Sequence, residues 1–431
     1  MDRSSFVVRW TVVSLLVVPP LAAADEAGPR RAAPARVLTL SQATALALEH
    51  HPELRVSAFE VEAQDGRVRQ SRLLPNPELE ATVEDVGGSG ARRGFDDAQT
   101  TLLLSQRIEL GRKRGRRHEA AVREREVAAL ALGTKRLDVV TQTRHAFVAT
   151  LVAQERLEAA RALIVVFRNA AQAAERQVRA GGTAPVEATR AALAVAQAEG
   201  DAAVRAAELT TARMTLAGTW GSATADFARV ADDLERLPAA LPASSGTAHL
   251  DDVPAVARAR AESAHFQSTL ALEQVRAVPD LTVGAGPRYY SDDDTAAVVF
   301  TVSMPLPFFD RNQGAVDEAR ARLAKARAEE DAARVAVRTA LEEHLAVVRA
   351  SGEQLRILHD VTIPQARAVQ RDMQRAFGQG AVRSIEVLEA ERTLHQLQDQ
   401  YWTVFGRYHT ALADVDRLTG SRADGHAEEG R

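Results

Sequence analysis

The chain has 431 residues, a formal net charge of −4 from 54 basic and 58 acidic side chains, and only 4% aromatic residues. Because both signs of charge are interspersed along the chain, no one-signed field argues for nucleic acid as a partner. The absence of cysteine excludes disulfide bonds, thiolate metal sites and cysteine nucleophiles. The dominance of Ala, Arg, Glu, Leu and Val is typical of long helices that pack along narrow stripes.

The first residues have the features of an export signal. A basic start is followed by a mostly apolar run at 6–18 and by three alanines at 22–24, the small residues that a signal peptidase needs. We therefore predict a signal peptide over 1–24 and an N-terminal linker over 25–37. No later segment approaches the 18 or more apolar residues of a membrane helix, so a membrane-spanning part would have to be built from strands.

Two pairs of short segments alternate between apolar and polar residues. The first pair, 78–84 and 100–108, is joined by a Gly-rich turn, and the second pair, 281–286 and 297–304, by a turn rich in aspartate. Such pairs are typical of β-hairpins that face lipid in an outer membrane, although a soluble hairpin has a similar pattern. Four strands cannot close a barrel, and an open edge in lipid leaves backbone groups unpaired, so several chains would share one barrel.

Long helices are expected between these hairpins. Two tracts, 78–184 and 308–363, contain no proline, which permits helices of unusual length. In the first tract, apolar residues recur at the spacings of a coiled-coil seam: Leu130, Leu137, Val140, Phe147 and Leu151. A helix over 112–180 would be roughly 100 Å long at 1.5 Å per residue. Such a rod needs neighbouring helices.

The chain repeats one plan. Gly181 and Gly221 recur 199 residues later as Gly380 and Gly420, with similar strings around them. The register extends over more than a hundred residues, and solenoid repeats are usually much shorter. We infer a duplication of one large unit rather than an array of small ones.

This duplication defines the predicted domain organisation. The first structural repeat covers 38–222 and contains a helix, a β-hairpin and a long helical hairpin. An inter-repeat linker follows at 223–250, the second repeat covers 251–421, and a tail occupies 422–431.

Several strings resemble TolC-type outer-membrane factors, and most closely the CzcC-like components of heavy-metal efflux systems. The strings that carry this resemblance are Pro-Glu-Leu at 52–54, Leu-Leu-Pro-Asn-Pro-Glu-Leu at 73–79, Glu-Leu-Gly-Arg-Lys-Arg-Gly at 109–115 and Pro-Leu-Pro-Phe-Phe-Asp-Arg-Asn-Gln-Gly at 305–314. The last string is the most specific. The resemblance covers residues 38–421.

The resemblance implies a mainly α fold with a transmembrane β part. Long α-helical hairpins would form a periplasmic α-barrel, and four strands per chain would contribute to a shared twelve-stranded β-barrel in a homotrimer. The implied function is an export duct in the outer membrane, not an enzyme and without a cofactor. It would work with a periplasmic adaptor and an inner-membrane pump of the resistance-nodulation-division (RND) class, most closely in heavy-metal efflux.

Two other functions stay open. The same fold serves multidrug efflux and type I secretion, so the fold does not identify the cargo. A periplasmic coiled-coil structural or adaptor protein without a barrel would also have long amphipathic helices.

Two glycine-containing turns interrupt the long helices. The resemblance places them at the periplasmic tip, where they would contact the adaptor's helical hairpin, although an ordinary helix-hairpin turn has the same sequence. The residues expected at this tip are Arg179, Gly181, Gly182, Pro185, Phe377, Gly378, Gly380 and Arg383.

Two glutamates follow the second turn. Glu386 and Glu389 are three residues apart, which places them on one helix face. In the family, acidic residues at the matching positions project into the closed end of the tunnel. Threefold symmetry would make them rings of carboxylates that favour cations. The alternative is a solvated charged face.

Motifs for other chemistry are weak. The chain contains no HExxH pair, so its histidines are expected at the surface and no metal site is predicted. The glycines at 87–90 precede a strand and no Lys-Ser or Lys-Thr pair follows, which argues against a phosphate loop. The basic run at 112–117 is expected to form a solvated collar where barrel and helices meet.

Overall fold

The computed structural model describes residues 37–231 and 253–420. The predicted signal peptide, nearly all of the N-terminal linker, most of the inter-repeat linker and the C-terminal tail lie outside the described residues.

The described residues are mainly helical. The first half contains β1 (Val37–Leu38), α1 (Leu40–His50), α2 (Pro52–Ser71), β2 (Glu78–Glu84), β3 (Gln99–Ile108), α3 (Lys113–Arg179), α4 (Pro185–Gly218) and β4 (Arg229–Val230). The second half contains α5 (Pro254–Arg276), β5 (Leu281–Tyr290), β6 (Thr295–Ser303), α6 (Gln313–Ile357), a π-helical turn (Leu358–Thr362), α7 (Ile363–Gly378) and α8 (Ser384–Thr419).

Helix α3 is the rod that the sequence predicts. It has 67 residues, and its apolar seam packs inward: Phe147 and Leu151 are buried, and the more N-terminal members of the seam are partly buried. Helices α1, α2, α4, α5 and α8 all contact it. Each neighbour removes part of the seam from water, which supplies most of the stability of a long helix.

The second long path does not end where its proline-free tract ends. Helix α6 passes through the π turn into α7, and Pro364 lies in the first turn of α7. A proline removes one helical N–H and its ring presses on the preceding turn, and the wider π turn just before it accommodates both effects. Within 37–231 and 253–420, no helix is both long and apolar enough to cross a membrane.

The main core lies where α1, α3, α6 and α8 meet. Phe147, Phe405 and Tyr408 are fully buried there together with Leu345 and Val348. The two short strands β1 and β4 pair in parallel at the edge of this core. The side chain of Gln154 on α3 makes two hydrogen bonds to the backbone of β4. Its Oε1 accepts from the Val230 N–H at 3.1 Å, and its Nε2 donates to the Val230 carbonyl at 3.3 Å.

The four long strands form one antiparallel sheet in the order β2-β3-β5-β6. Residues directly opposite each other in the register share a face. One face is almost entirely apolar and contains Leu79, Ala81, Val83, Leu102, Leu104, Val283, Ala285, Pro287, Val298, Phe300 and Val302. The other is mostly polar and contains Glu78, Glu80, Glu84, Thr101, Ser105, Arg107, Thr282, Arg288, Thr301 and Ser303. The predicted alternation holds throughout β2 but is imperfect in β3 and β6, because Leu103, Ala297 and Val299 lie on the mostly polar face and Thr100 and Gln106 on the apolar face.

The two halves share one element order and one closing contact. Gly221, after α4, has a left-handed φ of 76°, and a Cβ there would lie 3.5 Å from the ring of Pro52, which begins α2. Gly420, after α8, has a φ of 71° and meets Pro254 at the start of α5 in the same way. Each half therefore closes on its own first long helix. The exact repeat boundaries stay predictions.

The two faces of the sheet generate a mutational prediction. Val302 is exposed on the apolar face, and its neighbour Thr301 lies on the polar face. If the apolar face meets lipid, Val302→Arg should impair membrane insertion, because a lipid-facing Arg costs up to about 2–4 kcal/mol at the midplane and less towards the end of the strand, where Val302 lies. Thr301→Arg, the matched control one residue away, should insert nearly normally. Insertion is measured as the heat-sensitive oligomer in purified outer membranes, and equal losses in both variants would contradict the assignment of the faces.

Candidate functional site

The first helix hairpin turns through a Schellman motif between α3 and α4. The Gly182 N–H donates to the Gln177 carbonyl at 2.8 Å and the Gly181 N–H to the Val178 carbonyl at 3.0 Å, which pairs the last free carbonyls of α3. Gly181 has a φ of 72°. Pro185 then begins α4, where its missing N–H costs no helical hydrogen bond.

The second hairpin repeats this geometry between α7 and α8. The Ala381 N–H donates to the Ala376 carbonyl at 2.9 Å and the Gly380 N–H to the Phe377 carbonyl at 3.0 Å, with a φ of 73° at Gly380. Arg383 precedes the first residue of α8. The duplicated glycines therefore occupy the same left-handed position in both turns, which explains their 199-residue spacing.

The predicted tip residues form an exposed surface. Arg179, Gly181, Gly182 and Pro185 are exposed on the first turn, and Gly378, Gly380 and Arg383 are exposed on the second, while Phe377 is partly buried. A Cβ added at Gly181 or Gly380 would meet nothing within 4 Å. The glycines therefore leave an open, shallow surface over both turns.

The two hairpins also contact each other behind the tips. On α8, Arg392 donates to Gln197 on α4 at 3.1 Å, and its guanidinium lies 5.7 Å from the ring centre of Phe167 on α3. Leu388 packs into the same cluster beside Ala194. This contact joins the two hairpins behind their turns, and both turns lie beyond it at the same end of the molecule.

The two predicted gate residues lie on the first turns of α8. Glu386 is about one third exposed, and its carboxylate lies 3.5 Å from the guanidinium of Arg383. Glu389 is exposed, whereas Val387 and Leu388 between them are buried. Both carboxylates are accessible on the side of α8 away from its buried face. Their role in lining a channel stays a prediction.

Comparison with known proteins decides the family. The family model described as outer membrane efflux protein matches residues 43–222 and 248–421. The chain belongs to this family. This outer membrane efflux protein is therefore an outer-membrane export duct, with its sheet in the membrane and its long helices in the periplasm.

Named relatives and solved structures agree with the family. The efflux protein is 35% identical to the cobalt-zinc-cadmium resistance protein CzcC of Cupriavidus metallidurans over 89% of its own length and 90% of that protein. It is 27% identical to the nickel-cobalt-cadmium resistance protein NccC of Alcaligenes xylosoxydans xylosoxydans, over 74% and 71% of the two chains. The fold matches the CmeC outer membrane channel of Campylobacter jejuni with a TM-score of 0.76 at 13% identity, covering 88% and 85% of the two chains.

One buried polar residue of the chain is not predicted by its sequence pattern. Glu391 on α8 is 5% exposed, and its Oε1 accepts from the amides of Gln370 at 2.8 Å and Gln374 at 2.7 Å on α7. The four-residue spacing of the two glutamines was a visible signal. Their pairing with Glu391 depends on the register of the hairpin, which the sequence does not give.

Charged contacts hold α8 against α3 further from the tip. Arg156 binds Asp399 through two contacts of 2.6 Å, and Arg144 binds Asp416 at 2.7 Å with both side chains largely buried. Near Asp399, burial lowers the pKa of His395 below its ordinary value, against the opposing pull of that carboxylate. The imidazole is therefore neutral at pH 7, and the arginines supply the positive charge of this cluster.

Histidine and acidic side chains also meet near the core. Oxygens of Asp414 lie 3.2 Å from His145 and 3.7 Å from His344. His344 was expected at the surface. Its side chain is about one third exposed and faces Asp414 on α8. Among residues 37–231 and 253–420, no three His, Asp or Glu side chains are arranged to hold a metal ion.

The buried carboxylate of Glu391 generates a stability prediction. Glu391→Ala would leave the Gln370 and Gln374 amides without their acceptor. Because Gln374 is exposed and Gln370 partly exposed, water can replace part of the lost hydrogen bonding, and we expect a loss of about 1 kcal/mol. We expect faster amide hydrogen exchange across α7 and a lower melting temperature. Glu389→Ala, which changes an exposed glutamate two residues away, is the control and should leave exchange in α7 unchanged. Equal exchange in the two variants would show that this hydrogen-bonded cluster does not hold the hairpin.

Proposed function

We propose that three copies of this chain form the outer-membrane duct of a heavy-metal efflux system, together with a periplasmic adaptor and an inner-membrane RND pump. The observation that carries the proposal is the four-stranded sheet, which has one apolar face, one polar face and two unpaired edges, β2 and β6. An apolar outer face suits lipid and a polar inner face suits a water-filled channel.

The unpaired edges are the argument for assembly. In lipid, each unsatisfied backbone group costs several kcal/mol, so β6 of one copy has to pair with β2 of the next. Three copies would supply twelve strands, and closure removes every edge. The long helices that continue from the strands would then form the periplasmic tunnel.

The cargo is inferred from the relatives. CzcC and NccC are named for resistance to cobalt, zinc, nickel and cadmium. We propose divalent heavy-metal cations as cargo, driven by the pump and conducted passively by the duct. A multidrug or type I secretion duct is the alternative with the same fold.

Resistance measurements distinguish these cargoes. Deletion of the gene in its host should sensitise cells to zinc, cobalt or cadmium, and the full-length protein should restore growth while fractionating with the outer membrane as a heat-sensitive trimer. Sensitivity to organic drugs with unchanged metal tolerance would favour the multidrug duct. A monomeric protein in the membrane would contradict the shared barrel.

The exposed turns predict where the adaptor docks. Gly181→Asp or Gly380→Asp would place a side chain and a charge on a surface that is now open, at a strain cost of about 1–3 kcal/mol for a left-handed residue. We expect trimers to assemble normally but to lose adaptor crosslinking and metal resistance.

Asparagine variants separate strain from docking. Gly181→Asn and Gly380→Asn introduce nearly the same shape and tolerate the left-handed conformation as well as aspartate does, without the charge. We expect them to retain more crosslinking than the aspartate variants. Full crosslinking and resistance in all four variants would place the docking surface elsewhere.

The two glutamates of α8 predict ion selectivity. In a trimer they would form two rings of carboxylates in a narrow passage, which favours cations and binds multivalent cations as blockers. The double variant Glu386→Gln/Glu389→Gln should lose cation selectivity and sensitivity to divalent or trivalent block in single-channel recordings. Because Arg383 partly neutralises Glu386, the single variant Glu389→Gln should change selectivity more than the single variant Glu386→Gln.

A distant glutamate provides the control. Glu318→Gln changes an exposed glutamate near the sheet end of α6 and should leave selectivity at the tip unchanged. If the double variant assembles and conducts with unaltered selectivity and block, these glutamates do not line the passage. Loss of assembly would instead indicate a structural role.

A further inference from the structure

The segment between β6 and α6 exposes an unusual amount of apolar surface. Phe309 is 93% exposed, Phe308 69%, Leu306 62% and Met304 46%. Four large apolar side chains within six residues are thus left uncovered by their own chain. A contiguous patch of this kind marks an interaction surface.

Both ends of this segment are fixed. It continues directly from β6, whose apolar face ends with Phe300 and Val302. At the other end, the Asn312 amide donates to the carbonyl and the carboxylate of Glu273 at 2.8 and 2.9 Å. Between them, the Phe308 N–H donates to the Leu306 carbonyl at 2.9 Å in a tight turn. Phe308 and Phe309 therefore lie on a loop that is fixed at one end by β6 and at the other by the Asn312–Glu273 hydrogen bonds.

The first half of the chain shows that such a loop is not needed to connect strand and helix. There, β3 reaches α3 through residues 109–112 alone, and β6 reaches α6 through 304–312. Both connections end on a residue with a φ of 60°, Arg112 and Asn312 respectively. In the short connection, Glu109 is bound by Arg117, and its pKa is lowered by that hydrogen bond. The apolar loop is thus an addition in the second half.

The position of the loop indicates what covers it. It extends the lipid-facing side of the sheet at the end where the strands meet the periplasmic helices. The loop follows β6 directly, so the lipid that covers the apolar face of that strand would reach the loop as well. The exposed Asp310 and Arg311 follow at once, as expected where acyl chains give way to headgroups.

We propose that residues 304–309 form an interfacial lipid anchor that inserts into the periplasmic leaflet of the outer membrane. Leu306, Phe308 and Phe309 lie at the boundary between acyl chains and headgroups, and Arg311 lies among the phosphates. The anchor fixes the height of each subunit in the membrane. The short connection of the first half, residues 109–112, offers no comparable exposed apolar residue.

The lack of cysteine makes a direct test possible. A single cysteine at Phe309, introduced into the full chain and labelled with a nitroxide, reports its surroundings in phospholipid vesicles through collisions with oxygen, which enriches in lipid, and with a polar nickel chelate, which stays in water. Labels at Phe300 on the apolar face and at Phe95 on the β2–β3 loop are the lipid and water references.

Each outcome is decisive. We expect the label at 309 to collide with oxygen more often than the label at 95 but less often than the label at 300, and with nickel less often than the label at 95. High collision with nickel would place the loop in water, and low collision with both reagents would place it against another subunit; either result overturns the proposal. A label at Leu306 repeats the measurement at a second site if the Phe309 variant assembles poorly.

A pair of double variants tests whether Phe308 and Phe309 favour insertion into the membrane. Phe308→Ser/Phe309→Ser should lower the fraction of protein inserted into vesicles, and Phe308→Leu/Phe309→Leu, which keeps the loop apolar, should restore it. Trimers already inserted should melt at the same temperature in both variants. A lower melting temperature in the serine variant only would show that the phenylalanines support the subunit contact instead.

Discussion

The architecture depends on one helix that cannot be stable alone. A rod of 67 residues has a narrow apolar seam and almost no core of its own, so its stability has to come from the helices beside it. The chain supplies five of them, and Arg144 and Arg156 tie α3 to α8 through buried or half-buried aspartates. Most of the buried aromatic side chains lie where four helices meet, with Phe167 in a separate cluster behind the tips, which fits a long protein with few aromatic residues.

The sheet also depends on neighbours, but its apolar face is suited to lipid instead of water. Its polar side contains the Arg288–Thr101 hydrogen bond of 2.8 Å, and its apolar side contains almost no polar group. The sheet of one chain has a face for water and a face for lipid, but its four strands cannot close into a barrel. The two strand edges, β2 and β6, are what call for further copies of the chain.

Local features of the sequence predicted much of this fold. The strand faces follow from alternation, and the two left-handed turns follow from glycines at matching positions, because both are properties of short segments. The path beyond Pro364 was not predictable, since a π turn absorbs the proline only within a longer helix. Glu391 and the exposure of Phe309 were not predictable either, because burial depends on which distant segments pack beside a residue.

The two repeats hold their helical hairpins together with different contacts. Helix α4 packs through a buried seam of small residues, Ala191, Ala194, Ala198 and Ala202, so moving it would expose apolar surface along its length. By the 199-residue offset, Glu391 takes the place of Ala192, and α8 is held to α7 there by hydrogen bonds to amides. Water can replace hydrogen bonds at little cost but cannot replace apolar packing. Near their tips the two hairpins are held by different contacts, which are apolar in the first and partly polar in the second, where Val387 and Leu388 are also buried.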